Sequence, residues 1–170
     1  MIKGEEPGGA VPIRTRPMCV PAEWIDYNGH MNVAYYIMAF DKALDEVFEE
    51  HLGIGETQAR EARMGPMALQ SQIHYLEELL EGDALAVDFQ MLDADTKRIH
   101  FFMTMIKIET GILAATYENL SMNVDLEARR GAPYPPVARG RIAAMLEVHS
   151  SLPRPELAGR TIGIRRKSIA

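Results

Sequence analysis

The chain of 170 residues holds one cysteine, Cys19, and one tryptophan, Trp24. A lone thiol closes no intrachain disulfide and builds no cysteine metal cluster, so a reducing cytoplasm is the expected compartment. The five histidines, His30, His51, His74, His100 and His149, lack metal-ligand spacing, and no metal is expected. No apolar run reaches the roughly 18–20 residues that a membrane span needs. The opening MIKGEEPGGA has no apolar segment of the kind a secretory leader carries, and no membrane partner is expected. Positive charge is also in the minority, with 18 lysines and arginines against 24 acidic residues. The net charge of −6 makes nucleic acid a poor partner for the bulk surface. Missing too are a Gly-x-Ser-x-Gly elbow, a Gly-x-x-x-x-Gly-Lys phosphate loop and a dinucleotide fingerprint, and with them the sites those motifs build.

What is present reads as one globular domain. Apolar residues make up 47% and charged residues 25%, ordinary for a folded protein and too apolar for disorder. Residues 1–9 are polar and glycine-rich, a flexible N-terminus. Residues 10–150 carry the folded domain, and residues 151–170 form a basic tail. In that tail Arg154, Arg160, Arg165, Arg166 and Lys167 outnumber the single Glu156. Such a tail is either a solvated end or a patch that meets the phosphates of a ligand.

Periodicity supplies the elements. Val11–Val20 reads as a strand interrupted by Pro17, which suits an edge or a bulge. Over Asn32–Leu52, Val33, Tyr36, Ile37, Phe40, Leu44, Val47, Phe48 and Leu52 recur at helical spacing as one buried face, and Gly53 ends the helix. Period-two segments follow at Met67–Leu79, Leu85–Met91, Ile99–Met105 and Ile112–Val124. Short polar turns such as Glu81-Gly82-Asp83 and Glu109-Thr110-Gly111 join them, the pattern of an antiparallel meander. A short helix over Val137–Val148 begins at Pro136. One long amphipathic helix against one sheet is a two-layer α+β domain.

The chemistry concentrates between the first strand and the long helix, in EWIDYNGHMNVAYY (Glu23–Tyr36). A helix start offers unpaired N–H groups and a partial positive charge. Asp26 just upstream places a carboxylate near the same point, which would suit a polarised carbonyl with a base or nucleophile beside it. Asn28 and Asn32 read equally well as helix caps, and Gly29 as a turn residue.

Asp26-x-x-Gly29-His30-x-Asn32-x-x-x-Tyr36 resembles the signature of hotdog-fold acyl-CoA thioesterases of the hydroxybenzoyl-CoA thioesterase type. The element order agrees from about Val11 to Asp125, as do YLEELLEGD (Tyr75–Asp83), DADTKRIH (Asp93–His100) and LAATYENLSMNVD (Leu113–Asp125). The resemblance implies a five-stranded antiparallel sheet wrapped around one long central helix, with a short C-terminal helix added. It implies hydrolysis of an acyl-CoA thioester with no cofactor beyond the coenzyme A of the substrate. It also implies a homodimer or dimer of dimers with the site at the subunit interface. Asp26 then matches the catalytic carboxylate, and the amides of Met31 to Val33 match the helix start that polarises the carbonyl. Asn28 and His30 complete the catalytic group, and Asn32 falls among the substrate-binding residues. Many relatives carry a second asparagine where this chain has Val33, whose backbone amide alone would serve. EWIDYNGHM with Tyr35-Tyr36 and DTKRIH is most similar to the betainyl-CoA thioesterases of carnitine breakdown. Trp24, Tyr27 and Tyr35 would then offer aromatic faces to a trimethylammonium group.

Other residues have two readings each. Lys97 and Arg98 hold coenzyme A phosphates or simply end a strand in solvent. Arg129 and Arg130 are similar. Glu118, on one strand face with Leu120, Met122 and Val124, meets either the cleft or a paired cation. Two other functions stay open on the residues alone: a non-catalytic acyl-CoA-binding module, which has no need of Asp26, and a thioesterase acting on an acyl carrier protein, which would dock on a basic face.

Overall fold

The computed structural model describes residues 10–164. Strands β1 (Ile13–Arg14) and β2 (Met18–Cys19) are two short pieces broken at Arg16-Pro17, because proline breaks the ladder. Helix α1 (Val33–Glu46) follows and runs directly into a π-helical stretch, Val47–Leu52. Gly53 then stops it in the left-handed conformation at φ 67°. A short helix α2 (Glu56–Glu61), which the periodicity does not reveal, leads to β3 (Met64–Tyr75). The meander β4 (Ala84–Ala94), β5 (Arg98–Lys107) and β6 (Leu113–Asp125) comes next, then the two-residue β7 (Arg130–Gly131) and α3 (Pro136–His149).

All pairings are antiparallel, and the main order is β1-β4-β5-β6-β3, five positions across. β2 extends the β1 edge along β4, and β7 adds a bridge to β6. The sheet curls around α1, whose Tyr36, Ala39, Phe40, Ala43 and Leu44 are buried. Phe40 stacks on Tyr117 with ring centroids 5.3 Å apart, and Phe48, Phe89 and Phe101 continue that layer.

Two expectations about elements need correction. The helix face predicted from spacing includes Val33 and Ile37, yet they are 55% and 50% exposed. Ala39 and Ala43 take the places facing the sheet, so the buried stripe is rotated and Ile37 lies on its open flank. The strand expected at Met67–Leu79 is shifted to Met64–Tyr75. After Tyr75 the N–H groups of Leu76 and Glu77 both turn to the Ala114 carbonyl, at 2.9 and 3.1 Å, and the chain leaves the sheet.

The tail is not simply solvated. Gln90 of β4 donates to the Pro153 carbonyl, Glu118 of β6 accepts from the Gly159 N–H, and Gln72 of β3 donates to the Arg160 carbonyl. Residues 153–160 therefore strap the outer face of the sheet, and Glu118 pairs with His100 beneath them at 2.8 Å. The predicted flexible residues 1–9, and Arg165, Arg166 and Lys167, lie outside the described residues.

Candidate active site

Between the β2 edge and α1 the chain closes a small loop on itself. Ile25 and Met31 form an antiparallel bridge, the Asp26 N–H donates to the His30 carbonyl, and the Asn32 N–H donates to the Trp24 carbonyl at 2.8 Å. Gly29 sits at φ +82°, a conformation glycine adopts without steric cost, and its N–H returns to the Asp26 carbonyl. Leu79, in the segment that leaves the sheet, accepts from the Met31 N–H at 2.7 Å and ties the loop to the body.

The loop aims one carboxylate. Asp26 Oδ1 accepts from the Asn28 N–H at 2.8 Å, and Oδ2 accepts from Asn32 Nδ2 at 3.2 Å. Asn32 is bonded twice, because its Oδ1 also caps α1 by accepting from the Ala34 N–H at 3.0 Å. The Asp26 side chain is only 15% exposed, and both of its partners are neutral. His30 Nε2 stands 3.9 Å from Oδ1, too far for a hydrogen bond. Its Nδ1 is turned to Glu78 at 3.3 Å.

The helix-start amides are fewer than the resemblance implies. Those of Met31 and Asn32 are spent on the Leu79 and Trp24 carbonyls. Only the Val33 N–H, at the first position of α1, has no hydrogen-bond partner among the described residues. Val33 lines a cleft of ≈ 310 Å³ that opens beside the loop, together with His30, Tyr36, Tyr75, Glu77 and Glu78.

The predicted aromatic set is not assembled. Trp24 is buried and stacks on Tyr35 at 5.4 Å, with the Lys42 ammonium 6.0 Å from its ring. Tyr27 points away, 96% exposed, as the residue at the tip of the loop. The turn therefore unites Asp26, Asn28, His30, Asn32 and the Val33 amide, and leaves the three predicted rings outside the cleft.

Residues 20–142 match the family described as the thioesterase-like superfamily. The chain belongs to it. Among its relatives, the betainyl-CoA thioesterase of Pseudomonas aeruginosa is 34% identical over 84% of this chain and 89% of that protein. An L-carnitine dehydrogenase/betainyl-CoA thioesterase of Rhizobium meliloti is 32% identical over 91% of this chain, which spans only 31% of that longer protein. A solved Staphylococcus aureus protein in complex with CoA is 28% identical with a TM-score of 0.82, covering 93% of this chain and 99% of that one. The protein is an acyl-CoA thioesterase on the hotdog fold.

In this thioesterase Lys97 and Arg98 do not join the Asp26 loop within one chain. They stand at the start of β5, while its other end, at Lys107, pairs with Asp83 next to Leu79 and Leu80. A ten-residue strand separates them, about 30 Å at the usual rise. Arg98 is moreover committed to Asp95, with Nη2 2.6 Å from Oδ2. Lys97 is exposed at the same turn. A second, larger cleft, ≈ 510 Å³ on the outer face under the strap, is lined by residues including His100, Glu118 and Arg160 and is likewise remote from Asp26. Residue spacing alone does not single out Tyr75 and Glu78. Their signal was the YLEELLEGD stretch, whose place beside Asp26 depends on the chain leaving the sheet after Tyr75.

Proposed function

We propose that this thioesterase hydrolyses betainyl-CoA to betaine and coenzyme A, with Asp26 as the reacting carboxylate. We place it in the cytoplasm as a homodimer or dimer of dimers, using no cofactor. The observation that carries the catalytic role is the Asp26 environment: a largely buried carboxylate held by two neutral donors, next to a helix start whose Val33 amide has no partner among the described residues. Among the described residues no lysine or arginine pairs with it, which leaves its charge for the substrate.

Two routes use that charge. As a base, Asp26 takes a proton from water as the water oxygen adds to the thioester carbon. As a nucleophile, its own oxygen adds, the thiolate leaves, and water then hydrolyses the mixed anhydride. In both, the Val33 N–H and the α1 dipole meet the oxygen that becomes negative, an interaction worth about 10²–10³ in rate for one donor. A thiol with pKa near ~8.5 leaves as thiolate without a general acid. The Asn28 amide and Asn32 orient the carboxylate, and His30 holds Glu78 at the cleft mouth.

The Pseudomonas relative's name supports the substrate. The sheet edge supports the dimer. Among the described residues β3, twelve residues long, pairs only with β6 and ends the sheet. It exposes Met67 and Leu69, and Val33, Ile37 and Met38 are exposed on α1. A long apolar edge of this kind calls for a partner, and a second β3 supplies one.

Thiol release from betainyl-CoA, set beside acetyl-CoA, benzoyl-CoA and palmitoyl-CoA, tests the substrate. We expect the highest kcat/KM on betainyl-CoA, and equal or faster turnover of a neutral acyl group refutes that choice. Light scattering tests the assembly, and a stable, fully active monomer refutes it.

A further inference from the structure

We infer that the acyl end of the substrate is read as a cation by Tyr36, Tyr75 and Glu78 in the cleft beside the Asp26 loop. The inference rests on the betainyl-CoA reading and names residues that would enforce it. The first argument is reach. In a betainyl thioester one methylene separates the quaternary nitrogen from the carbonyl carbon, so the cation must lie in the same cleft as the group that polarises the carbonyl. Tyr36, Tyr75, Glu77 and Glu78 line that cleft with Val33. Trp24 and Tyr35 do not, and Trp24 already has the Lys42 ammonium at its face.

The second argument is the shape of the aromatic pair. The rings of Tyr36 and Tyr75 meet edge to face, centroids 5.3 Å apart at 87°. They form a corner, which offers π-surface to a bulky cation rather than a closed slot. Tyr36 is fixed in it, because its hydroxyl donates to the Glu77 carbonyl at 3.2 Å. Tyr75 is half-exposed at the end of the β3 edge, so its contacts are free for a ligand.

The third argument is charge. Among the described residues no lysine or arginine lines the cleft, and the nearby Lys107 is paired with Asp83 at 2.8 Å. Two carboxylates stand at the rim, Glu78 with its side chain 60% exposed. Carboxylates at the mouth of an acyl site repel acidic substrates and give nothing to neutral ones, whereas aromatic faces with nearby negative charge favour a quaternary ammonium.

The test compares betainyl-CoA with tert-butylacetyl-CoA, in which a quaternary carbon replaces the nitrogen in the same shape. The full-length enzyme should prefer the charged substrate by roughly tenfold in kcat/KM. Tyr75→Leu and Glu78→Gln should each shrink that preference several-fold, while Tyr75→Phe, which keeps the π-face, preserves it. Both positions are exposed, and circular dichroism verifies that the variants fold. A wild-type ratio near one, with both thioesters cleaved, overturns the inference and leaves the thioesterase standing. A ratio that falls in Tyr35→Leu but not in Tyr75→Leu or Glu78→Gln also overturns it. Cleavage of other acyl-CoAs but of neither of these two overturns the betainyl-CoA reading, and the inference with it.

Discussion

Two turns of this molecule are built on the same device and end with opposite chemistry. In each, an aspartate accepts the backbone N–H two residues ahead: Asp26 from Asn28, and Asp95 from Lys97, both with Oδ1. The second oxygen makes the difference. Asp95 Oδ2 receives the Arg98 guanidinium at 2.6–2.7 Å, whereas Asp26 Oδ2 receives only the Asn32 amide at 3.2 Å. The Lys97 N–H first, and then the Arg98 side chain, hold the Asp95 carboxyl below the ordinary carboxylate range. Asp95 is thus spent on closing a turn. Among the described residues Asp26 Oδ2 meets only a neutral donor, which is what the proposed catalytic role requires of it.

The sharpest way to break this contrast is Asp26→Asn. Turnover should fall by roughly 10² or more, the scale of a lost acid–base group. The substitution is not structurally silent. The new NH₂ would face Asn32 Nδ2, whose own oxygen is occupied by the Ala34 N–H, so thermal or denaturant unfolding should register a loss of about 1 kcal/mol. Near-normal turnover would put Asp26 in the same class as Asp95. Asn32→Ala removes the cap and the Asp26 tether together. It should cost about 1 kcal/mol of stability and lower kcat by roughly tenfold with little change in KM. Asp95→Asn should leave kcat/KM unchanged and cost under about 1 kcal/mol, since the Arg98 pair is half-exposed and screened.

The smallest effect is in acid. Because the folded Asp95 carboxyl is more acidic than the unfolded one, its contribution is complete above about pH 4 and is lost as the pH falls through the lower folded value. Urea midpoints measured from pH 5 downward should therefore drop slightly more steeply for the wild type than for Asp95→Asn. Coincident curves would mean the Arg98 pair contributes nothing.

Much of this is legible in the sequence alone, and the omissions have physical causes. Helical spacing marked Phe40, Leu44, Val47 and Phe48 correctly, because a helix buried on a sheet imposes its period on the sequence. The same spacing misplaced Ile37, since an apolar residue on a helix's exposed flank is written like one already in the core. Asp26, Asn28, His30 and Asn32 fall within seven positions, so their meeting was readable. The roles of Met31 and Asn32 were not, because their amides go to the Leu79 and Trp24 carbonyls, and backbone pairing leaves no mark on residue identity. Arg98 looked free for phosphate until its own turn claimed it. Tyr36 and Tyr75 lie far apart in the chain and meet only through the exit of the strand at Tyr75.

The strap on the outer face has a consequence in time. Every strand among the described residues is complete by Gly131, so a chain emerging from the ribosome has those strands, α1 and the Asp26 loop in hand before residues 153–160 appear. Those residues then lie down over a finished surface, each bond joining groups far apart in the chain, 41 positions for Glu118 with Gly159 and 88 for Gln72 with Arg160. Laid on last and held by three hydrogen bonds, the strap is also the part that local unfolding releases first. A protease that nicks the native protein should therefore meet this segment before any strand, and trim the outer face without reaching the Asp26 turn.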